Sequence, residues 1–462
     1  MFTKKIYIQR REKLRKSVGK GLILFLGNDE SPMNYADNGY HFRQDSTFLY
    51  FFGLNHPFLA AILDCDTGED VIFGNDLTVE DFVWMGPQPT IAAQSLQVGV
   101  TQSGDIALLV TLLNKSLAQG RKIHFLPPYR PENKIKLFDW LKIVPLEVKQ
   151  KASMELIVGV VNQRNYKSSE EILEIRKACD LSVDMHTLAM RMAKPGVTEN
   201  QITAAVQQLA VASGGQISFP IIATIDGQTL HNHYHGNVLK DGDLFLLDAG
   251  AETAMGYAGD LSSTVPVNGK FTSRQRDIYS ICLESHNASI AMLKPGIPFK
   301  EVYFESSRVI VRGMKDLGLM KGNVDDAVLN GAHALFFPCG LGHMMGLDVH
   351  DMEDMGEVYV GYDGEPKSTQ FGLKSLRLGR KLEPGFVLTI EPGIYFIPEL
   401  IDQWKAKNHN NDYLNFDRIE EFKTFGGLRN EEDFRITETG YELLGKPKPK
   451  SIAEVEAEWE NG

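Results

Sequence analysis

The chain is short of cysteine, of basic residues and of long apolar runs, and each shortage removes a class of protein. It has four cysteines in 462 residues, Cys65, Cys179, Cys282 and Cys339, with no CxxC pair among them. That scatter argues against a disulfide framework and a thiolate zinc site, and it suits a reducing cytoplasm. Acids outnumber bases to give a net charge of −12, whereas phosphate binding needs a basic surface. No apolar run is long enough to span a bilayer. The basic opening, MFTKKIYIQRREKLRKSVGKGLILF, has a short, late apolar stretch and no small-residue cleavage site, so it does not read as a signal peptide. The expectation is a cytoplasmic protein with neither nucleic acid nor membrane as partner.

What is present is a composition of 43% hydrophobic and 23% charged residues, that of a soluble globular protein. The length exceeds one ordinary core, so two domains, or three, are expected. Residues 1–165 read as an α/β domain with a mixed sheet. Its strands are expected at GLILFLG, STFLYFFGL, AAILDCD and KIHFLP, with Pro127, Pro128 and Pro131 marking a loop. A second unit, 166–446, opens at NYKSSEEILEIRKACDLSVDMHTLAMRMAKPG. There Ser168 and Glu171 form a capping box, the helix stops at Pro195-Gly196, and Thr198 with Gln201 opens the next. Residues 447–462 are charged and poor in apolar side chains, which predicts a peripheral, loosely held tail.

The second unit repeats itself. HTLAMRMAKPGV from His186 matches HNASIAMLKPGI from His286, each a helix ending in Lys-Pro-Gly. The second copy also follows a capping box, Thr272 to Gln275. LKDGDLFLLDAG from Leu239 aligns without gaps on LEPGFVLTIEPG from Leu382. Gly242 then falls on Gly385, Asp248 on Glu391 and Gly250 on Gly393. Two pairs in the same order point to duplication, with two α+β halves that each deliver a carboxylate from the end of a buried strand.

A carboxylate in that position is costly unless it is paired or bound to a metal. Most acids in the chain are ordinary surface or capping carboxylates. Asp248 and Glu391 stand apart because each follows an apolar run and the two occupy matching repeat positions. Asp260, twelve residues after Asp248, suits a hairpin in which strand 244–252 turns near Ala254–Gly256 and brings both aspartates to one point. Glu431 starts a β-rich run after a Gly-Gly turn, with Glu432 beside it as the competing choice. His343, in FFPCGLGHMMGLDVHD, adds one imidazole. Four carboxylates and one histidine suit harder divalent ions, and four negative charges nearly balance two ions sharing a hydroxide.

At these residues the sequence resembles the pita-bread metallopeptidases, in the branch of aminopeptidase P and prolidase. DAGAETAMGYAGD, GLGHMMGLDVHD, TIEPGIYF and GGLRNEED occur in the family's order, and YHFRQDSTFLYFFGL is similar to the family's N-terminal domain. The resemblance implies a C-terminal pita-bread catalytic domain with Asp248 on one metal, Asp260 and Glu431 bridging, and His343 and Glu391 completing the other site. Two divalent ions are implied, manganese first, with cobalt or zinc as alternatives. His350 would contact substrate, Arg429 would lie near the metals and Tyr395 would line the site. The catalytic histidine falls on His231, with His233 two residues away as the alternative; His235 suits a solvated loop. Where aminopeptidase P commonly has an arginine, three residues after the second aspartate, this chain has Ser263.

The implied activity is hydrolysis of the N-terminal Xaa-Pro bond of peptides. Glu391 or Glu431 would carry the proton from nucleophile to proline nitrogen, and His231 would help stabilise the oxyanion. A strict Xaa-Pro dipeptidase, a creatinase-like amidinohydrolase and a non-catalytic binding module on the same fold are the competing readings. In this branch the N-terminal domain of one subunit borders the active site of another, so a homo-oligomer, dimer or tetramer, is implied.

Overall fold

Alternation between apolar runs and turn residues builds a five-stranded sheet in the first part of the chain. The strands are β1 (Leu22–Leu26), β2 (Ala60–Asp64), β3 (Asp70–Phe73), β4 (Gln102–Gly104) and β5 (Ile123–His124). Their order is β4-β3-β2-β1-β5, with β2 antiparallel to both β1 and β3, and β4 and β5 added parallel at the two edges. The sheet is therefore mixed, as expected. Leu22, Leu24, Ile62 and Phe73 point to one face and bury against Leu109, Leu113 and Leu137. Phe25 points to the other, with its ring centroid 5.2 Å from Phe51 and 5.6 Å from Phe52.

The structure is a computed structural model that describes all 462 residues. The chain divides into two units, Met1–Arg164 with Met352–Tyr359, and Asn165–Asp351 with Val360–Gly462. One expected strand of the first unit is a helix, Ser46–Phe52. Asp45 caps it by accepting from Phe48 N, and Gly53 ends it in the left-handed region. All seven residues are buried, so the segment carries neither a helical nor a strand period, and its length alone suggested a strand.

The second unit contains the two halves that the repeat requires. In the first half are β6 (Gln216–Ile217), β7 (Ile222–Thr224), β8 (Leu244–Ala249), β9 (Ala251–Glu252) and β10 (Leu261–Pro266); in the second are β11 (Val387–Ile390), β12 (Gly393–Tyr395), β13 (Gly427–Arg429), β14 (Glu432–Ile436) and β15 (Tyr441–Leu443). Each half has a three-stranded sheet, β10-β8-β7 and β11-β14-β15, in which β8 and β11 each pair antiparallel with a later strand, β10 and β14. Helices Ser169–Met192 and Glu199–Ala212 pack together beside the first, and Ser273–Ala291 and Phe299–Asp316 beside the second. All three expected capping boxes are formed, at Ser168–Glu171, Thr198–Gln201 and Thr272–Gln275. The repeat extends to backbone geometry, since Gly242 and Gly385 have φ of 90° and 93°.

Two expectations need correction here. Strand 244–252 is interrupted at Gly250: β8 pairs with β10, whereas β9 leaves to pair with β6. The hairpin itself is real, with Thr253 N donating to Tyr257 O at 2.9 Å and Asp248 opposite Ser262. The closing segment is not loosely held. Its residues Ile452–Glu460 form a helix with a Ser451–Glu454 capping box, and that helix packs on Ser169–Met192 and β10. Val455 is fully buried, and Trp459 Nε1 donates to Ala193 O at 2.8 Å. A few apolar positions on one face are enough to anchor a short helix, and the charged majority hid them.

Candidate metal centre

Strand ends from both halves converge on a cavity of about 330 Å³. β8 supplies Asp248, the residue before β10 supplies Asp260, the residue after β11 supplies Glu391 and the residue before β14 supplies Glu431. His343 joins them from a loop beside β11, where Thr389 N donates to the His343 carbonyl. All five line the cavity, as do His231, His233, His350 and Arg429. The ligand atoms of Asp260, His343 and Glu431 lie within 4.8 Å of one another.

Several features fit this cluster to divalent cations. His343 Nδ1 lies 3.0 Å from Met344 O, which can only accept, so Nδ1 carries a proton. Its Nε2 faces Asp260 Oδ2 at 3.3 Å and Glu391 Oε1 at 3.7 Å. Nε2 and the two carboxylates thus converge on one point, a donor set that a divalent cation can share. Burial, and then the charge of Asp248 and other neighbouring acids, pushes the Asp260 carboxyl well above the usual range. Burial, followed by Asp260 and Glu391, does the same to Glu431. Burial also raises Glu391. Asp260 Oδ1 makes no hydrogen bond. A divalent ion is the group that lets such carboxylates ionise together.

The surrounding side chains hold the acids in place. Arg429 spends its guanidinium on three partners: Nη2 on Asp248 Oδ2, Nη1 on the Tyr395 hydroxyl at 2.6 Å and Nε on Ser262 Oγ at 2.8 Å. Ser262 Oγ in turn donates to Glu431 Oε2 at 2.8 Å. Asp433 Oδ2 accepts from Asp260 N at 3.0 Å and from Cys179 Sγ at 3.1 Å. The adjacent glutamates point different ways: Glu431 lines the cavity, and Glu432 turns away to pair with Lys450.

One expected contact is different. Tyr395 is fully buried and is not among the residues lining the cavity; its hydroxyl meets Arg429 from behind. His231 and His233 both reach the cavity, and His235 instead lies 3.0 Å from Ile221 O through Nε2. The rings of His350 and His343 meet edge to face at 4.3 Å. The sequence reading missed Arg377, which lines the cavity, and Phe219, Pro220, Ile222 and Val349, which give it an apolar wall. In SLRLGRKLEPG nothing separates Arg377 from Arg380, yet Arg380 turns to Glu383 at 2.8 Å. The position of the expected arginine, Ser263, is met instead by Lys448, whose Nζ donates to Ser263 Oγ at 2.9 Å.

Residues 174–438 match metallopeptidase family M24, and residues 7–124 match the N-terminal domain of aminopeptidase P. The chain belongs to metallopeptidase family M24. An Xaa-Pro aminopeptidase of Escherichia coli is 33% identical, with 97% of this chain and 96% of that protein covered. A human Xaa-Pro dipeptidase is 30% identical over 96% of this chain and 90% of its own length. The solved structure of Pseudomonas aeruginosa aminopeptidase PepP superposes with a TM-score of 0.82 at 27% identity, covering 100% of this chain and 98% of that one. Membership makes the chain a metallopeptidase that uses divalent ions, with the pita-bread fold in its second unit and an aminopeptidase P-type domain before it.

Proposed function

We propose that this family M24 chain is an Xaa-Pro aminopeptidase, removing the N-terminal residue of peptides whose second residue is proline. The observation that carries the reading is the cavity itself. It combines four carboxylates and His343 with an apolar wall of Phe219, Pro220, Ile222 and Val349, in a chain matched along its length by Xaa-Pro peptidases. Asp248, Asp260, His343, Glu391 and Glu431 would hold two divalent ions, manganese first because the donors are mostly oxygen, with cobalt or zinc as alternatives. Bound ions of that kind supply an acidified water and a polarised carbonyl.

The chain's own residues do the rest. Glu391 is the most exposed of the four acids: its side chain is 21% exposed, against 12% for Asp248 and 7% for Asp260, and Glu431 is buried. It is placed to take the nucleophile's proton and return it to the departing proline nitrogen. His231 or His233, with His350, donates to the oxygen on which charge develops. Arg429 keeps Asp248 oriented, and Tyr395 keeps Arg429 in place. A proline nitrogen carries no N–H, so an apolar wall shaped to the ring selects it without a polar contact.

One observation favours a second reading. Arg377 in the cavity wall is a guanidinium suited to a free carboxylate, which an Xaa-Pro dipeptide presents close to the scissile bond. Comparing turnover of Xaa-Pro with that of Xaa-Pro-Yaa-Zaa separates the two: cleavage of the tetrapeptide alone or preferentially supports the aminopeptidase, and strict restriction to the dipeptide overturns it. Asp260→Ala is expected to reduce turnover of either substrate to background, and wild-type turnover in that variant would exclude this metal site.

The working form is a homo-oligomer, dimer or tetramer. In the first unit the helix Val79–Met85 buries none of its residues and exposes Val79, Trp84 and Met85 at 80%, 83% and 52%, an apolar surface of the kind that proteins cover with a partner. The four cysteines are free thiols, consistent with a reducing cytoplasm as the location. No helix is long and apolar enough to cross a membrane.

A further inference from the structure

The sequence Lys446-Pro447-Lys448-Pro449-Lys450 leads into the last helix, and all three of its lysines turn onto the second unit. Each residue before a proline is held extended. Lys446 pairs with Asp184, Lys448 reaches Ser262 O at 2.6 Å and Ser263 Oγ at 2.9 Å, and Lys450 pairs with Glu432. Tyr279 pins the backbone by donating to Lys450 O at 2.7 Å. Lys446 and Lys450 are partly exposed, and their partners are carboxylates. Lys448 differs on both counts: it is 4% exposed, and its ammonium has only a carbonyl and a hydroxyl as partners, with no carboxylate within 4.0 Å.

Burying an ammonium against neutral groups is unfavourable, and a methionine, one atom shorter, would fill most of the space at less cost. What the ammonium touches shows what it does. The Ser262 carbonyl accepts both from Lys448 Nζ at 2.6 Å and from Glu431 N at 3.1 Å. The Ser262 hydroxyl accepts from Arg429 Nε and donates to Glu431 Oε2, each at 2.8 Å. Ser262 is thus held by one cation on its backbone and another on its side chain, and it holds Glu431 by both its N–H and its carboxylate.

We propose that Lys448 is a positioning residue of the metal centre: delivered by the C-terminal segment, it fixes Ser262 and through it the ligand geometry of Glu431. The carboxylates whose charge offsets it are Glu432 and Glu431. The C-terminal segment is then part of the catalytic unit although none of it lines the cavity. The inference rests on reading the cavity as a metal centre.

The test uses the full chain with Lys448→Met, Lys448→Arg and, as a control on the same segment, Lys446→Met, each loaded with Co²⁺. In Lys448→Met the visible absorption of bound cobalt, which reports ligand geometry, is expected to shift, and kcat to fall by about 10–100-fold while KM stays near the wild-type value. Lys448→Arg, which keeps charge and donors, is expected to restore most of both, and Lys446→Met to leave both unchanged. If Lys448→Met does not fold, Lys448→Gln, which keeps a donor but no charge, is read in its place. A wild-type spectrum and kcat in the neutral variant overturn the proposal, as does a loss of kcat with an unshifted spectrum. Wild-type protein that binds no cobalt overturns the metal-centre reading instead, so the two failures are distinct.

Discussion

Arg429 shows how one side chain organises a site it does not complete. Its three donors meet Asp248, Tyr395 and Ser262, and the carboxylate of Glu431 is one hydrogen bond further on. Arg429→Met keeps an unbranched stem and removes all three contacts, so metal affinity is expected to weaken by about 10–100-fold. Calorimetric titration of Mn²⁺ into wild type and variant measures this, and equal affinities would contradict the assigned role. The buried histidines act on stability. Burial holds the His333 imidazole down at about 4, and its ring bonds the Tyr303 hydroxyl at 2.9 Å. The unfolded chain protonates this group near pH 6.5, the folded chain only near 4, so the unfolded state binds the extra proton between them. Stability is therefore lost as pH falls from about 6.5 toward about 4, by about 3 kcal/mol for this one residue. Urea unfolding of wild type and His333→Gln across that window should give a shallower profile for the variant. Parallel profiles would show that His333 does not contribute.

Elements are placed by contacts between distant segments. Lys167, just ahead of the helix Ser169–Met192, pairs with Asp351 at 2.8 Å, and both side chains are 1% exposed. The pair ties the start of that helix to the segment carrying His350. Lys167→Met removes the cation paired with a buried carboxylate and is expected to cost about 3–5 kcal/mol, most of it recovered in Lys167→Met with Asp351→Leu. Denaturant midpoints of the three proteins decide this; additive losses in the double variant would deny the coupling. The helix starts at this scale were legible because a capping box is written in four consecutive residues. The Ser46–Phe52 helix was not, because a segment buried on every side has no period to read. The break at Gly250 was hidden too, since it depends on β9 finding β6.

At the scale of the whole molecule, the exposed helix Val79–Met85 bears on assembly. On the proposal of a homo-oligomer, Trp84→Glu is expected to lower the mass found by light scattering toward that of the monomer, with the far-ultraviolet circular dichroism unchanged. An undiminished mass would assign that surface to something other than self-association. The internal duplication has its consequence here as well. β8 and β11 correspond, and each ends in an acid facing the same cavity, so a single repeated strand pattern supplies one ligand from each half.

The sequence by itself determined the two α+β halves, the helix caps and the set of acids around His343, because each is carried by residue types at short or repeated spacing. Tertiary structure alone decided which neighbours those residues meet. It turned Arg377 rather than Arg380 to the cavity, put Tyr395 behind Arg429, and brought Lys448 to Ser262 across 186 positions of chain. The physical reason is common to all three. A ligand's chemistry resides in its side chain, whereas a buried contact depends on two surfaces that meet only once the chain has folded.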